Sequence, residues 1–501
     1  MTNSFINQTK RIPNRKTENY ADAYSSTGSN LLDLFASIGS LRSRNAKDIY
    51  SKFSKAYKED RLLATKMAFY ARNIRGGLGE RAVFKDILKW LAFNDPEVLK
   101  INMFCVPIFG RWDDLFALVG TPVEEDMWDL ITIQFITDID NYNNHKPFSL
   151  LAKWMKSINT SSKESRKLGR ITCKKLGLKP QEYRRILSIL RRQLEVVERK
   201  MSNQEWEKID FNKVPSLAMT RYHKAFYKHV PENFRTYMED VKEGKAKLHA
   251  DTLYPYNILE QLNLSYSWGW MRSDEEEFFK CDYNEFLELQ WIALPNYIER
   301  KNNILVMADT SGSMSGRPIH TSIGLAIYFA ERNHGDFRNC FLTFSHKPSF
   351  IHLPEFGTLQ SKINKIPSIV ENTNLEAAFD LVLKTGIIGK VPAEDMPKAI
   401  IVISDGEIDH FSTDNTCWSF FQSMEKKFNS YGYEIPKIIM WNVDSRHDIY
   451  LDRMENPKIQ FISGQSPSVF KYILNSINKS AYELMLEVLN DPIYNVITIE
   501  K

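Results

Sequence analysis

Residues Ile304–Ser315 of this 501-residue chain read ILVMADTSGSMS and predict an α/β sheet in its C-terminal part. It begins with an apolar run that shows no polar alternation, a pattern typical of a buried parallel strand. The run ends at Asp309, and Pro318 then opens a helical pattern. Ligands of open α/β sheets bind at the carboxyl ends of the strands. The carboxylate of Asp309 and the hydroxyls of Ser311 and Ser313 are therefore candidate ligands of a hard divalent cation, Mg²⁺ above all.

Two later stretches complete this pattern. A second apolar strand pattern, Lys398–Ser404, leads into an Asp-Gly pair, and a turn with a threonine opens the amphipathic stretch Leu375–Leu383. The order DxSxS, Thr before a helix, and strand-terminal Asp-Gly resembles the von Willebrand factor A domain and its metal-ion-dependent adhesion site. The resemblance implies a doubly wound sheet and a cation with one coordination position open to a partner's oxygen. It implies five metal ligands, which are Asp309, Ser311, Ser313, Thr373 and Asp405.

Composition is that of an ordinary globular protein, with 43% apolar and 26% charged residues. No stretch approaches the roughly 20 apolar residues of a membrane span, so we expect no membrane partner. The N-terminal sequence MTNSFINQTKRIPNRK lacks the apolar core of a secretory signal. The cysteines form no CxxC pair, which argues against a zinc site and against a disulfide framework. We therefore expect buried free thiols in a cytoplasmic protein.

The chain before the A-type pattern is predicted to be an α-helical array. From Asn30 onward, helical patterns of about 10 to 15 residues are joined by short breaks, which is typical of paired helices. No repeat period is evident. We divide the chain into a disordered arm (1–28), a helical domain (29–298), an A-type domain (299–492) and a tail (493–501).

Charge is unevenly distributed, although the formal net charge is only +4. Residues 163–200 hold 13 Lys or Arg against 4 acids, and the balance reverses around Asp274–Glu299. A long helix is predicted over Pro180–Met201, with its arginines mainly off the apolar face. Two interpretations stay open, a solvated basic face or a phosphate-binding surface. The candidate RNA-binding residues are Arg170, Lys174, Lys175, Arg184, Arg185, Arg191 and Arg192.

The helical half carries motifs of its own. They are LLDLF (Leu31–Phe35), RNIRGGLGER (Arg72–Arg81), VPIFGRWDD (Val106–Asp114), VPS (Val214–Ser216) and YPY (Tyr254–Tyr256). Together with the metal-site loop they resemble an uncharacterised family related to the TROVE module of the Ro ribonucleoprotein autoantigens, over roughly residues 29–480. The resemblance implies HEAT-like helical repeats joined to a von Willebrand A domain, and RNA bound on a basic surface. Whether the repeats close into a ring is left open.

These observations favour a non-catalytic RNA-binding protein. The alternative is a metal-dependent protein-interaction scaffold whose partner presents an Asp or Glu to the cation. An enzyme ranks third because no general base or nucleophile pair is evident, and we interpret Glu407, Asp409 and His410 as loop residues. His223 has no second metal-type ligand at a suitable spacing, so we interpret it as a surface residue.

Overall fold

The chain folds into two compact units. The structure, a computed structural model, describes residues 12–17, 20–265, 278–298, 302–344, 347–368, 374–408 and 417–500. The sheet unit contains the described residues up to 67, together with 75–79 and 250–492. The helical unit contains 68–74, 80–249 and 493 onward. None of the helices in the described ranges combines the length and the apolar character needed to cross a membrane.

The strands of the described residues form two sheets. A two-stranded antiparallel sheet forms from β1 (Arg15–Lys16) and β2 (Asp22–Ala23). The larger sheet has six strands in the order β5-β4-β3-β6-β7-β8. They are β3 (Ile304–Asp309), β4 (Cys340–Phe344), β5 (Phe350–His352), β6 (Ala399–Ser404), β7 (Lys437–Asn442) and β8 (Ile459–Ser463). Only β5 runs antiparallel to its neighbour, so the sheet is mixed.

Helices fill most of the rest of the described chain. Their bounds are α1 Asn30–Phe35, α2 Ala46–Glu59, α3 Arg61–Arg72, α4 Arg81–Asn94, α5 Pro96–Asn102, α6 Cys105–Phe109, α7 Glu124–Asn143, α8 Leu151–Trp154, α9 Lys163–Lys175, α10 Pro180–Gln193, α11 Val197–Ser202, α12 Ser216–His229, α13 Pro231–Lys242, α14 Pro255–Leu259, α15 Glu285–Ile292, α16 Arg317–Arg332, α17 Leu359–Ile363, α18 Leu375–Gly389, α19 Cys417–Asn429, α20 Val469–Ser476 and α21 Ala481–Leu489. An N-terminal helical array and a C-terminal mixed sheet thus confirm the predicted combination of α and α/β parts.

The register of the large sheet brings the carboxyl ends of its central strands to one edge. Strands β3 and β6 pair as far as Ala308 and Ile403, and Ser404 of β6 pairs with Asn442 of β7. All residues of β3 and β6 are buried, as their unbroken apolar runs predict. The residues that follow these strands are therefore neighbours in space.

The N-terminal segment packs on the sheet. Tyr24 and Tyr450 exchange backbone hydrogen bonds of 2.8 and 2.9 Å. The Ser463 hydroxyl accepts from the Gly39 N–H (3.0 Å) and donates to the Phe35 carbonyl (2.9 Å). The described residues 12–17 and 20–28 of the arm that we predicted to be disordered are therefore ordered, and the arm gains partners that are distant in sequence. Residues 1–11 lie outside the described part of the chain.

Helices α1 and α2, which the sequence analysis assigns to the helical domain, belong to the sheet unit. Their contact with it is electrostatic as well as apolar. Lys52 of α2 lies 3.0 Å from an Asp448 oxygen, and the Arg44 Nε–H donates to the Ser445 carbonyl at 2.7 Å. The local helical pattern of this segment is correct, but periodicity in sequence does not say which distant surface a helix face will cover.

The helical unit has an aromatic core. Phe69 lies against Phe84 and Phe109, with ring centroids 5.3 and 5.6 Å apart. Tyr494 stacks on Phe109 at 5.5 Å and is fully buried. The segment after residue 492, which we predicted to be a tail, is thus part of this core because it supplies a large buried ring.

The predicted long helix Pro180–Met201 is interrupted. It ends at Gln193 and resumes at Val197, and Glu195 between them has a left-handed φ of 49°. That conformation costs a non-glycine residue roughly 1 kcal/mol or more. Its carboxylate lies 2.9 Å from the Lys213 ammonium, a tertiary contact that the helical periodicity of the sequence could not reveal.

Candidate functional site

Asp309 ends strand β3 and is completely buried. Its Oδ1 atom accepts a hydrogen bond from the Ser311 N–H at 2.9 Å, and its Oδ2 atom accepts one from the Ser404 hydroxyl at 2.6 Å. Burial and the neighbouring negative charge of Asp405 raise the pKa of Asp309 to about 7. Two carboxylates thus share one buried region at the carboxyl edge of the sheet.

The two serines of the DxSxS motif also meet. The Oγ atoms of Ser311 and Ser313 are 3.0 Å apart, and Ser313 is exposed. Asp309, Ser311, Ser313 and Asp405 therefore gather at the edge that the sequence predicts. Thr373, the remaining predicted ligand, lies outside the described residues.

Asp405 follows β6 and has a partner that the sequence analysis did not identify. Its Oδ2 atom accepts a hydrogen bond from Nη2 of Arg446, and the same nitrogen donates to the Ser313 carbonyl at 3.1 Å. The Asp405 Oδ1 atom accepts from the Glu407 N–H at 3.2 Å. A guanidinium group thus supplies positive charge beside the two buried carboxylates.

The chemistry of these donors suits a hard divalent cation, because carboxylate and hydroxyl oxygens are the ligands that Mg²⁺ prefers. Within the described ranges, no three His, Cys, Asp or Glu side chains form a metal-binding group. The predicted shell holds only two carboxylates, Asp309 and Asp405, and completes itself with hydroxyls. A cation here would take over the charge compensation that Arg446 gives to Asp405.

Glu407, interpreted from sequence as a loop residue, is buried and lies 3.0 Å from Nδ1 of His447. The other two residues given that interpretation, Asp409 and His410, lie outside the described part. Sequence reasoning missed Ser404, Arg446 and His447. The available signal was their position, because polar residues directly at the end of β6 and just after β7 fall on the edge where ligands bind.

The second candidate site is the basic surface of α9 and α10. Four of the predicted residues are exposed and, within the described chain, form neither an ion pair nor a side-chain hydrogen bond: Arg170, Lys174, Arg185 and Arg192. The opposite face of α10 is buried through Tyr183, Leu187 and Leu190. The acidic residues Asp274–Glu277 are outside the described ranges.

The other three predicted residues are engaged within the protein. Arg191 donates to the carbonyls of Ala152 (2.8 Å) and Met155 (2.7 Å) and to the Ser157 hydroxyl (2.9 Å). Burial lowers its pKa. Lys175 pairs with Glu125, and Arg184 donates weakly to the carbonyl of Pro180 in its own helix. Arg191 therefore anchors the chain that precedes α9.

His223 is buried rather than exposed, which corrects the interpretation made from sequence. Its Nδ1 atom lies 2.7 Å from the carbonyl oxygen of Thr220, and burial lowers its pKa. Four cysteines, Cys105, Cys173, Cys281 and Cys340, are free and buried, as predicted.

The fold and the site define a protein that joins a helical array to a mixed α/β sheet with a carboxylate and hydroxyl cluster at its edge. Residues 17–167 and 175–304 match the family described as Domain of unknown function (DUF2828). Since this match covers more than half of the 501 residues, the chain belongs to that family. Residues 303–491 match a second family, Domain of unknown function (DUF7788).

The chain is also similar, along nearly its whole length, to a protein from the Acanthamoeba polyphaga mimivirus. It is "Uncharacterized protein L728", which is 29% identical over 523 residues, 96% of this chain and 88% of the relative. The similarity extends across both the helical part and the sheet.

Proposed function

We propose that the protein is a non-catalytic RNA-binding protein of Ro-like architecture, with TROVE-like, HEAT-like helical repeats and a von Willebrand A-type sheet domain. It binds structured or single-stranded-tailed RNA on the basic surface of α9 and α10. The observation that carries the proposal is that Arg170, Lys174, Arg185 and Arg192 are exposed without carboxylate partners in the described chain. These unpaired cations can neutralise phosphates, and phosphate neutralisation supplies most of the non-specific affinity of proteins for nucleic acids.

The test is the salt dependence of RNA binding by fluorescence anisotropy. A four-site variant, Arg170→Gln with Lys174→Gln, Arg185→Gln and Arg192→Gln, removes the cations that would bind phosphates. The slope of log K against log[salt] is negative. For each phosphate that is no longer neutralised, its magnitude should decrease by roughly 0.7 to 0.9. A control variant removes the same amount of positive charge from the sheet unit. In it, Gln replaces four exposed lysines: Lys347, Lys384, Lys390 and Lys426.

The control should bind RNA as the unaltered protein does. Equal slopes in the two variants would show that the cations act only through net charge, and the proposed surface would be refuted.

A second function, a metal-dependent interaction scaffold, is favoured by the other site. Asp309 and Asp405 are buried there while the Ser313 hydroxyl is exposed, so a bound Mg²⁺ would have protein ligands on one side and solvent on the other. A partner's Asp or Glu would fill the open position. Capture of a protein partner that is released by EDTA and by Asp309→Ala, without any RNA affinity, would favour this function over the first.

A further inference from the structure

Two sequence motifs that the proposed function does not use come together in the helical unit. Arg72 and Arg81 stand at the two ends of RNIRGGLGER, and Asp114 ends VPIFGRWDD. The Arg72 Nε–H donates to Asp114 Oδ2 at 2.7 Å, and the Arg81 Nε–H donates to Asp114 Oδ1 at 3.0 Å. A Cβ atom at Gly110 would lie 2.6 Å from Asp114 Oδ2, so this motif requires glycine there.

Asp113 carries a second set of cations. Arg81 Nη2 donates to its Oδ2 atom, and the Lys156 ammonium lies 3.6 Å from the same oxygen. The Arg111 Nε atom lies 3.2 Å from Asp113 Oδ1. Lys156 belongs to neither motif and comes from the segment that follows α8.

Positive charge exceeds negative charge in this cluster. Lys85 lies 3.8 Å from Asp114, so five cations face two carboxylates, a formal excess of three positive charges. The two aspartates and Arg72 are buried. The remaining side chains reach solvent, with exposed fractions of 41% for Arg81, 29% for Lys85, 31% for Arg111 and 28% for Lys156.

The cations are also mutually repulsive and held in place. Burial, and to a smaller extent the positive charge of Arg81, lower the pKa of Lys85. The attraction of Lys85 to the two aspartates is smaller than these effects. The guanidinium carbon of Arg111 lies 4.1 Å from the ring centroid of Trp154, which fixes its orientation. An ordinary structural ion pair would be neutral, whereas this cluster has a net positive charge and, within the described chain, N–H donors at the surface that make no hydrogen bond.

We propose that Arg81, Lys85, Arg111 and Lys156 form a binding site for a phosphate monoester dianion. Two guanidinium groups provide forked donors that match phosphate oxygens, and two ammonium groups provide compact charge. Ion pairs with the buried carboxylates of Asp113 and Asp114 hold these cations in position. The phosphate can belong to a free mononucleotide or to the end of an RNA strand; the second source rests on the proposed function, and the first does not.

The experiment uses the full chain and inorganic phosphate as the probe. Calorimetric titration at pH 8 and constant ionic strength should give saturable binding, with sulfate as a competitor and acetate without effect. The double variant Lys85→Gln with Lys156→Gln should lose at least about tenfold in phosphate affinity, since two charge-assisted hydrogen bonds to the phosphate are removed. Lys89→Gln, on the same helix as Lys85 and paired with Asp86 at 3.5 Å, is the matched control and should bind normally.

Circular dichroism and thermal melting in chloride buffer establish whether each variant is folded. If the double variant is unstable, Lys156→Arg, which keeps the positive charge, provides the second test and should retain phosphate binding. No saturable binding, or equal affinity in unaltered protein and folded double variant, would overturn the proposal.

Decauridylates with and without a 5′-phosphate, alongside uridine 5′-monophosphate, then identify the source of the phosphate. Phosphate binding that survives the loss of RNA binding in the four-site variant of α9 and α10 separates this proposal from the proposed function.

Discussion

Arg446 donates a hydrogen bond through Nη2 to the Asp405 carboxylate, at the edge of the sheet where Asp309 is also buried. The same nitrogen reaches the carbonyl of Ser313, one of the two motif serines. An arginine side chain thus provides the positive charge that a divalent cation would provide to these groups. Any cation that binds Asp405 has to compete with this guanidinium.

Replacing Arg446 should therefore strengthen cation binding. We expect Arg446→Gln to raise the affinity for Mg²⁺ or Mn²⁺ by about tenfold, because the metal no longer breaks a charge-assisted hydrogen bond. Isothermal titration calorimetry measures this change. Arg338→Gln, an exposed arginine elsewhere in the sheet unit, serves as the control and should leave affinity unaltered. An equal or weaker affinity in Arg446→Gln would mean that the guanidinium supports the cation site and does not compete for it.

Asp309→Asn should abolish Mg²⁺-dependent stabilisation. The amide oxygen can still accept the Ser311 N–H, but the negative charge that attracts the cation is gone. We expect the melting temperature of the unaltered protein to rise with Mg²⁺ and that of the variant to stay constant. Without Mg²⁺, the variant should be at least as stable at pH 8, since a buried carboxylate is costly to ionise. Asp395→Asn, at an exposed position, should behave as the unaltered protein does.

Asp114→Ala should destabilise the helical unit by about 3–5 kcal/mol, because Arg72 would keep its charge in a buried place without its partner. The free energy of unfolding in urea measures this change. Asp86 pairs with Lys89 on the surface of α4, and Asp86→Ala should cost less than about 1 kcal/mol. Similar destabilisation in the two variants would contradict a structural role for the buried pair.

His223 should make the helical unit less stable at mildly acidic pH. Burial lowers the pKa of this imidazole in the folded protein, so the unfolded chain takes up the proton first. Its contribution to stability is complete above about pH 6.5 and is lost as the pH falls toward the folded-state pKa. Urea unfolding at pH 7.5 and 5.5 should show a smaller difference in His223→Gln than in the unaltered protein. His145→Gln, at an exposed position, should retain the full difference.

Local sequence patterns predicted those parts of the site that lie close together in the chain. Asp309, Ser311 and Ser313 are joined by one strand and one turn, so their meeting follows from the end of a buried strand. Arg446 comes from a loop after another strand, and only the sheet register brings it to Asp405. The basic segment was visible as charge, but the separation of Arg191 from the exposed cations depends on carbonyl acceptors in a preceding segment.

The hydroxyl of Ser463, at the end of β8, bonds the backbone of Phe35 and Gly39, more than 400 positions earlier in the chain. During synthesis on the ribosome, helices α1 and α2 emerge long before strand β8, on which α1 packs. Residues 80–249 of the helical unit leave the ribosome in the meantime. The apolar face of α1 therefore lacks its β8 partner throughout this interval, in which chaperones bind such surfaces.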